Sequence, residues 1–200
     1  MTVIAALHQD LVFNRRVRVL SEALSRLLPQ GATVLDVGCG NGLIAHLLGE
    51  QRPDLALSGI DVLVRPETHI PVEIFDGQRI PRADQSVDVV MFVDVLHHTD
   101  DPEALLREAA RVARRAIVLK DHTRDGFLAG PTLRFMDWVG NAHHGVRLPY
   151  NYWPERDWRV AFGRLGLKPV EWKDRLNLYP GPAGWLFDRS LHFVARLEHA

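Results

Sequence analysis

Two hundred residues, 46% of them hydrophobic, suffice for one sizeable core, so a single domain over 1–200 is expected. Lysine and arginine (24) nearly balance aspartate and glutamate (25); the formal charge of -1 gives no basic field to gather nucleic acid, and none is expected as a partner. Cys39 stands alone, which excludes an intramolecular disulfide, while the opening MTVIAALHQD lacks a signal peptide's basic start and no apolar run approaches the roughly 20 residues that span a bilayer; a soluble, cytoplasmic chain is expected.

An N-terminal helical segment is expected over 1–30, where RRVRVLSEALSRLLP reads as an amphipathic helix with its arginines on a solvated face. From 31 to 121, β-branched runs alternate with helical patterns, the rhythm of an α/β domain with a largely parallel sheet. Strands are predicted at TVLDV (33–37), LALSGID (55–61), VEIFD (72–76), VDVVMFVD (87–94) and AIVLKD (116–121). The last four end on Asp61, Asp76, Asp94 and Asp121, at the strand ends where open α/β sheets gather ligands. NGLIAHLLGE supplies a short helix with Leu43, Leu47 and Leu48 inward. DPEALLREAARVARR supplies a longer one, with Asp101 as N-cap, Pro102 in the first turn and Arg114 and Arg115 at the end.

After the fifth strand the periodicity weakens. Residues 122–153 mix aromatics, arginines, three histidines and four glycines, and an insertion of that length in a compact domain is a functional feature when its aromatic content argues against disorder. PERDWRVAFGRLGL restores a helix within the closing segment 154–200. KPVEWKDRL and SLHFVARLE follow as strands with no crossover helix predicted between them, hence as an antiparallel pair.

VLDVGCGNG (34–42) places Gly38, Gly40 and Gly42 between a strand and a helix. A dinucleotide fingerprint would need its third glycine at Leu43, and a phosphate loop would need Gly-Lys-Ser or Gly-Lys-Thr; neither is present. Asp36, two residues before the first glycine, would repel a pyrophosphate and suit a cation, while the glycines let backbone approach a ligand closely. Asp61, 19 residues beyond Gly42, is placed to accept from both hydroxyls of a ribose, and Asp76, followed by Gly77, to accept from an exocyclic amine. Together these describe an adenosine with a positive, phosphate-free tail.

VLDVGCGNG, GIDV, FDG and VDVVMFVDVLHHTDDP resemble the class I S-adenosylmethionine-dependent methyltransferases, in the small-molecule, methyltransferase type 11-like branch that includes the quinone-biosynthesis enzymes. The resemblance covers 33 to about 120. It implies a Rossmann-like three-layer α/β sandwich whose seven-stranded, mostly parallel sheet ends on an antiparallel strand, with a substrate-covering insertion after strand five. It also implies S-adenosyl-L-methionine as cofactor, with Asp36, Gly38, Cys39, Gly40 and Gly42 around its methionine part, Asp61 and Val62 at the ribose, Asp76 and Gly77 at the adenine, and Val93 and Asp94 alongside.

Methyl transfer from a sulfonium is an in-line displacement, so the protein chiefly aligns a nucleophile and excludes water, with a base only where the nucleophile arrives protonated. The candidates are His98, His122, His144 and Tyr150; His97 and His98 read more readily as packing against the following loop, and His143 and His144 equally as a surface turn. For the acceptor, Phe135, Trp138, Tyr150 and Tyr152 could wall an apolar pocket, with Arg134 or Arg147 for an anionic group; these aromatics read equally as the core of a small helical cap. No H-E-x-x-H or paired-cysteine spacing occurs, so no metal is expected. The expected function is methylation of a small, partly apolar metabolite. The alternatives are a protein or nucleic-acid methyltransferase, against which VLHH stands where an Asn/Asp-Pro-Pro-Tyr element would, and a nonenzymatic cofactor-binding or partner protein. The oligomeric state is left open.

Overall fold

The computed structural model describes residues 3–141, 149–188 and 190–200. A long helix α1 (Val3–Leu27) leads to β1 (Thr33–Val37), α2 (Leu43–Gln51), β2 (Ala56–Asp61), β3 (Val72–Ile74) and β4 (Val87–Val93). A 3-10 turn at Leu96–His98 precedes α3 (Pro102–Val112) and β5 (Ala113–His122). The chain closes with α4 (Ala129–Asn141), α5 (Glu155–Arg164), β6 (Leu167–Lys173), α6 (Gly181–Phe187) and β7 (His192–His199). The strands form one sheet in the order β3-β2-β1-β4-β5-β7-β6, parallel from β1 to β5, with β7 antiparallel to both β5 and β6.

Strands buried on both faces need apolar side chains at successive positions. Leu35, Val37, Val90, Phe92, Ile117 and Leu119 face α3 and α5, meeting Leu105, Leu106, Ala109, Trp158 and Phe162. Val34, Val89, Met91, Ala116 and Val118 face the opposite way onto Leu20, Leu24 and Leu27 of α1 and Leu48 of α2. Truncating a fully buried side chain such as Phe92 to alanine costs about 3–5 kcal/mol. Asp88 stitches the start of β4 to β1, accepting from Thr33 N and Oγ1 at 3.0 Å each while Arg114 pairs with its other oxygen at 2.8 Å.

The order of the strands reverses between β1 and β4, so the crevice outside their carboxyl ends is where a ligand is expected. All five predicted strands of the core are present, with β2, β3 and β4 shorter than read and β5 longer at both ends. Asp101 caps α3 by accepting from Ala104 N at 3.0 Å. That helix stops at Val112, earlier than predicted: Arg114 and Arg115 belong to β5, whose pairing with β4 begins at Ala113, and Arg111 takes the basic position of the last turn. On α2 the inward side chains are Ala45 and Leu48, while Leu43 and Leu47 are half-buried. The antiparallel pair at the end is as predicted, but α6 lies between its strands. No helix among the described residues is long and apolar enough to cross a membrane.

Candidate functional site

β1 delivers the chain into a loop where Gly38, Gly40 and Gly42 have φ of 74°, 60° and 76°, a region L side chains avoid. The three glycines answer different needs. A Cβ at Gly38 would lie 2.7 Å from Val95 and one at Gly42 2.4 Å from Ile70, so both serve close packing. A Cβ at Gly40 would meet nothing within 4 Å, and Gly40 borders a cleft of about 720 Å³. Here the bare backbone faces space large enough for a ligand.

Asp61 Oδ2 accepts from Gly40 N at 2.7 Å and Oδ1 from Leu63 N at 2.9 Å, so this carboxylate shapes the loop as well as bordering the cleft. Asp76 Oδ1 accepts from Arg79 N at 2.7 Å and Gln78 N at 2.8 Å, and these amides hold it below the ordinary aspartate range. Val62, Gly77 and Asp94 border the same space. Asp36, Cys39, Gly42 and Val93 stand behind the lining rather than in it. The Asp36 carboxyl is buried with Oδ1 unpartnered, and burial, reinforced by the Asp61 charge, pushes it up to about 7. Cys39 fills the space over Gly59, where a Cβ would lie 2.4 Å from its Sγ, and burial pushes its thiol up to about 12, which leaves it unreactive.

Where β4 and β5 end, the structure gathers a cluster of charges. Asp94, in a left-handed conformation at φ 58°, pairs with the fully buried Lys120 ammonium and with Arg16 of α1 at 2.8 Å. Burial opposes the charge on Asp94, but Lys120 and Arg16 outweigh it and keep the carboxylate ionised. Arg16 is thus no part of a solvated face, a correction to the sequence reading; Arg18 remains exposed. Asp121, with no exposure, accepts from His97 Nδ1 at 2.7 Å. Burial works against the His97 charge, but Asp121 and then Asp137 prevail, and the imidazolium persists to about 9. Tyr152 donates to Asp137 at 2.7 Å and stacks on His97.

Of the predicted base candidates, His98 borders the cleft, while His122 is buried outside the lining, its Nδ1 without a hydrogen bond but 3.5 Å from a carboxylate oxygen of both Asp94 and Asp121. His144 and Arg147 lie outside the described residues. Tyr150 packs on Tyr152 and carries the Arg134 guanidinium over its ring at 5.5 Å. Phe135 and Trp138 are exposed on α4, and none of Arg134, Phe135, Trp138, Tyr150 and Tyr152 lines the cleft. Two sets of side chains, Asp94 with His97 and His122, and His97 with His98 and Asp137, bring histidine and carboxylate donors within 4.8 Å of one another. Motif spacing, on which no metal was expected, is blind to such clusters; in the first set the Lys120 ammonium already occupies Asp94 Oδ1. Arg16, Lys120, Asp121 and Asp137 were missed as site residues, and only Asp121 carried a signal, its place at a strand end; His97, beside His98 in LHH, reads from the sequence as packing.

Residues 12–171 match the family model described as a methyltransferase domain. The 27-O-demethylrifamycin SV methyltransferase of Amycolatopsis mediterranei is 31% identical over 110 residues, covering 48% of this chain and 40% of that one. The ubiquinone biosynthesis O-methyltransferase of Photorhabdus laumondii is 28% identical over 96 residues, covering 42% and 39%. The chain therefore spans about two fifths of the length of these curated relatives. In fold, it matches the crystal structure of an S-adenosylmethionine-dependent methyltransferase from Thermotoga maritima with a TM-score of 0.66 at 17% identity, over 99% of this chain and 96% of that one. With four fifths of its length matching the family model and this sheet order, the chain belongs to the methyltransferase domain family, in the class I S-adenosylmethionine-dependent group.

Proposed function

We propose that the chain transfers a methyl group from S-adenosylmethionine to a small, partly apolar acceptor, with the nucleophile entering in line at the cleft's His98 end. The observation that carries this reading is Gly40, whose missing Cβ opens on the cleft while its amide is held by Asp61. The residues suit the cofactor. Asp61 would take the ribose hydroxyls and Asp76 the adenine amine, with Val62 and Phe75 offering apolar surface to the base. Asp36, neutral in part at pH 7, would ionise toward a cationic ligand. Bound there, the cofactor supplies an electrophilic methyl carbon on a sulfonium.

The protein's own share is alignment and proton removal. His98 would take the proton of the acceptor's O–H or N–H bond, whose electron pair stays on that oxygen or nitrogen and leaves it the better nucleophile. Asp94, locked by Lys120 and Arg16, is positioned to orient the acceptor or the cofactor tail without taking a proton, since it stays ionised. The names of the two relatives, a 27-O-demethylrifamycin SV methyltransferase and a ubiquinone biosynthesis O-methyltransferase, support a metabolite acceptor. The exposed Phe135 and Trp138, with Arg134, would close on that acceptor from α4. The test is a screen with methyl-labelled cofactor against phenols, catechols, amines, bulk RNA and a protein extract. Label in a phenol, catechol or amine supports the reading. Label in RNA or protein, or in nothing while the cofactor binds, overturns it in favour of the macromolecular or the nonenzymatic alternative.

A further inference from the structure

The turn at Leu96–His98 carries the chain from β4 into α3, burying Leu96 and His97 and leaving His98 at the cleft wall. One buried carboxylate bonds to two of its residues. Asp121 accepts from Leu96 N through Oδ2 at 3.1 Å, and through Oδ1 from His97 Nδ1 at 2.7 Å and His122 N at 2.8 Å. Neither Asp121 nor His97 is more than 1% exposed. The His97 ring then lies 4.1 Å from that of His98, centroid to centroid, with Tyr152 stacked on it at 5.4 Å and His122 edge-on at 4.6 Å. A buried ion pair is no more stabilising than a well-packed apolar pair of like volume. Its use lies in what it orients.

We propose that Asp121 and His97 form a positioning pair that holds His98 at the cleft wall as the acceptor's proton-accepting imidazole, Asp121 fixing the His97 ring and the His97 imidazolium facing His98. The proposal rests on the role given to His98 above and deepens it. The groups facing His98 come from four elements: His97 on its own turn, Asp94 at the end of β4, Asp121 at the end of β5, and Asp137 of α4, whose Oδ1 is 3.6 Å from His98 Nε2. Burial and the His97 charge favour neutral His98, whereas Asp137, Asp121 and Asp94 favour its protonated form. Without the charge on His97, the balance at His98 shifts toward these three acids, of which Asp94 keeps Lys120 and Arg16 and Asp137 keeps Tyr152.

The test is an NMR titration of the ligand-free full chain labelled at its histidine rings, from pH 5 to 10. His97 is expected to stay charged to near 9 and His98 to titrate below the ordinary histidine value of about 6.5. His97→Asn keeps an N–H for Asp121 without the charge, and should raise the His98 midpoint by more than about half a pH unit. Asp121→Asn should lower the His97 midpoint by more than about one unit. A purely structural pair would alter melting but leave the His98 midpoint where it is, and that result overturns the proposal. So does a His97 that is neutral at pH 7 in the unaltered protein, a measurement that stands even if both variants fail to fold. The role of His98 itself fails separately: His98→Gln transferring methyl to an identified acceptor at an undiminished rate would refute the base and leave the titration result intact.

Discussion

The two ends of the cleft are built in opposite ways. At the end proposed for the donor, successive residues of one loop and single acids at the tips of adjacent parallel strands line the space, and their contacts are backbone amides: Gly40 on Asp61, Gln78 and Arg79 on Asp76. At the end proposed for the acceptor, behind Asp94 and His98, side chains far apart in sequence meet one another: Arg16 with Asp94, Lys120 with His192, Tyr152 with Asp137. The first kind of site follows from local backbone chemistry. The second needs the fold.

The sharpest break in this comparison would come at Gly40. Gly40→Val would force a β-branched residue to φ 60° and put its side chain into the cleft, so cofactor affinity should fall by at least about a hundredfold, as read by calorimetry. Normal binding would mean that the loop's open side is not the ligand's. Asp61→Ala should weaken binding by about 1.5–3 kcal/mol, the scale of hydrogen bonds to a charged group, with some further loss because Gly40 N and Leu63 N lose their acceptor.

A smaller effect separates charge from shape. Burial, reinforced by the Asp61 charge, raises the Asp36 carboxyl in the folded chain from the ordinary aspartate value of 3.8 to about 7. Between those values the folded chain keeps a proton that the unfolded chain releases, so stability should fall as pH rises through this window and level off above 7. Asp36→Asn should abolish that fall in a series of thermal melts. A cationic ligand favours the ionised carboxyl, so cofactor affinity should rise from pH 6 to 8 in the unaltered protein and stay flat in the variant. Smallest of all, Phe135→Ala and Trp138→Ala should shift cofactor affinity by less than about twofold, since both side chains are exposed and neither lines the cleft; surface changes of this kind are typically worth under about 0.5 kcal/mol. If either variant lost the cofactor, the two ends of the cleft would not be separable and α4 would be a cofactor lid.

The same contrast decides what could be read in the sequence. The five core strands were legible because doubly buried strands impose apolar runs, as in VDVVMFVD, and the loop because glycine at positive φ is a local demand. The end of α3 was misplaced because Arg114 and Arg115 resemble a basic helix terminus, whereas Ala113 already pairs with Val87 of β4. Helix α6 escaped notice because Pro and Gly in YPGPAGWLFD signal turns, yet Pro182 sits in the first turn, where its missing amide hydrogen is no loss. The acceptor end was the least legible. His97 is chosen over His98 as the clamped ring by Asp121, 24 residues away, and Arg16 is drawn from an arginine-rich helix by Asp94, 78 residues away; no spacing rule reaches either.

The central claim is that the loop at Gly38 to Gly42 and the acids at the strand ends form a site for an adenosine with a cationic tail. Calorimetric titration of the full chain with S-adenosylmethionine and S-adenosylhomocysteine, with NADH as control, tests it most directly. Saturable one-site binding of both sulfur ligands, lost in Gly40→Val, and no binding of NADH is the predicted result. Binding of NADH in preference to either sulfur ligand, or binding of all three unaffected by Gly40→Val, would contradict it.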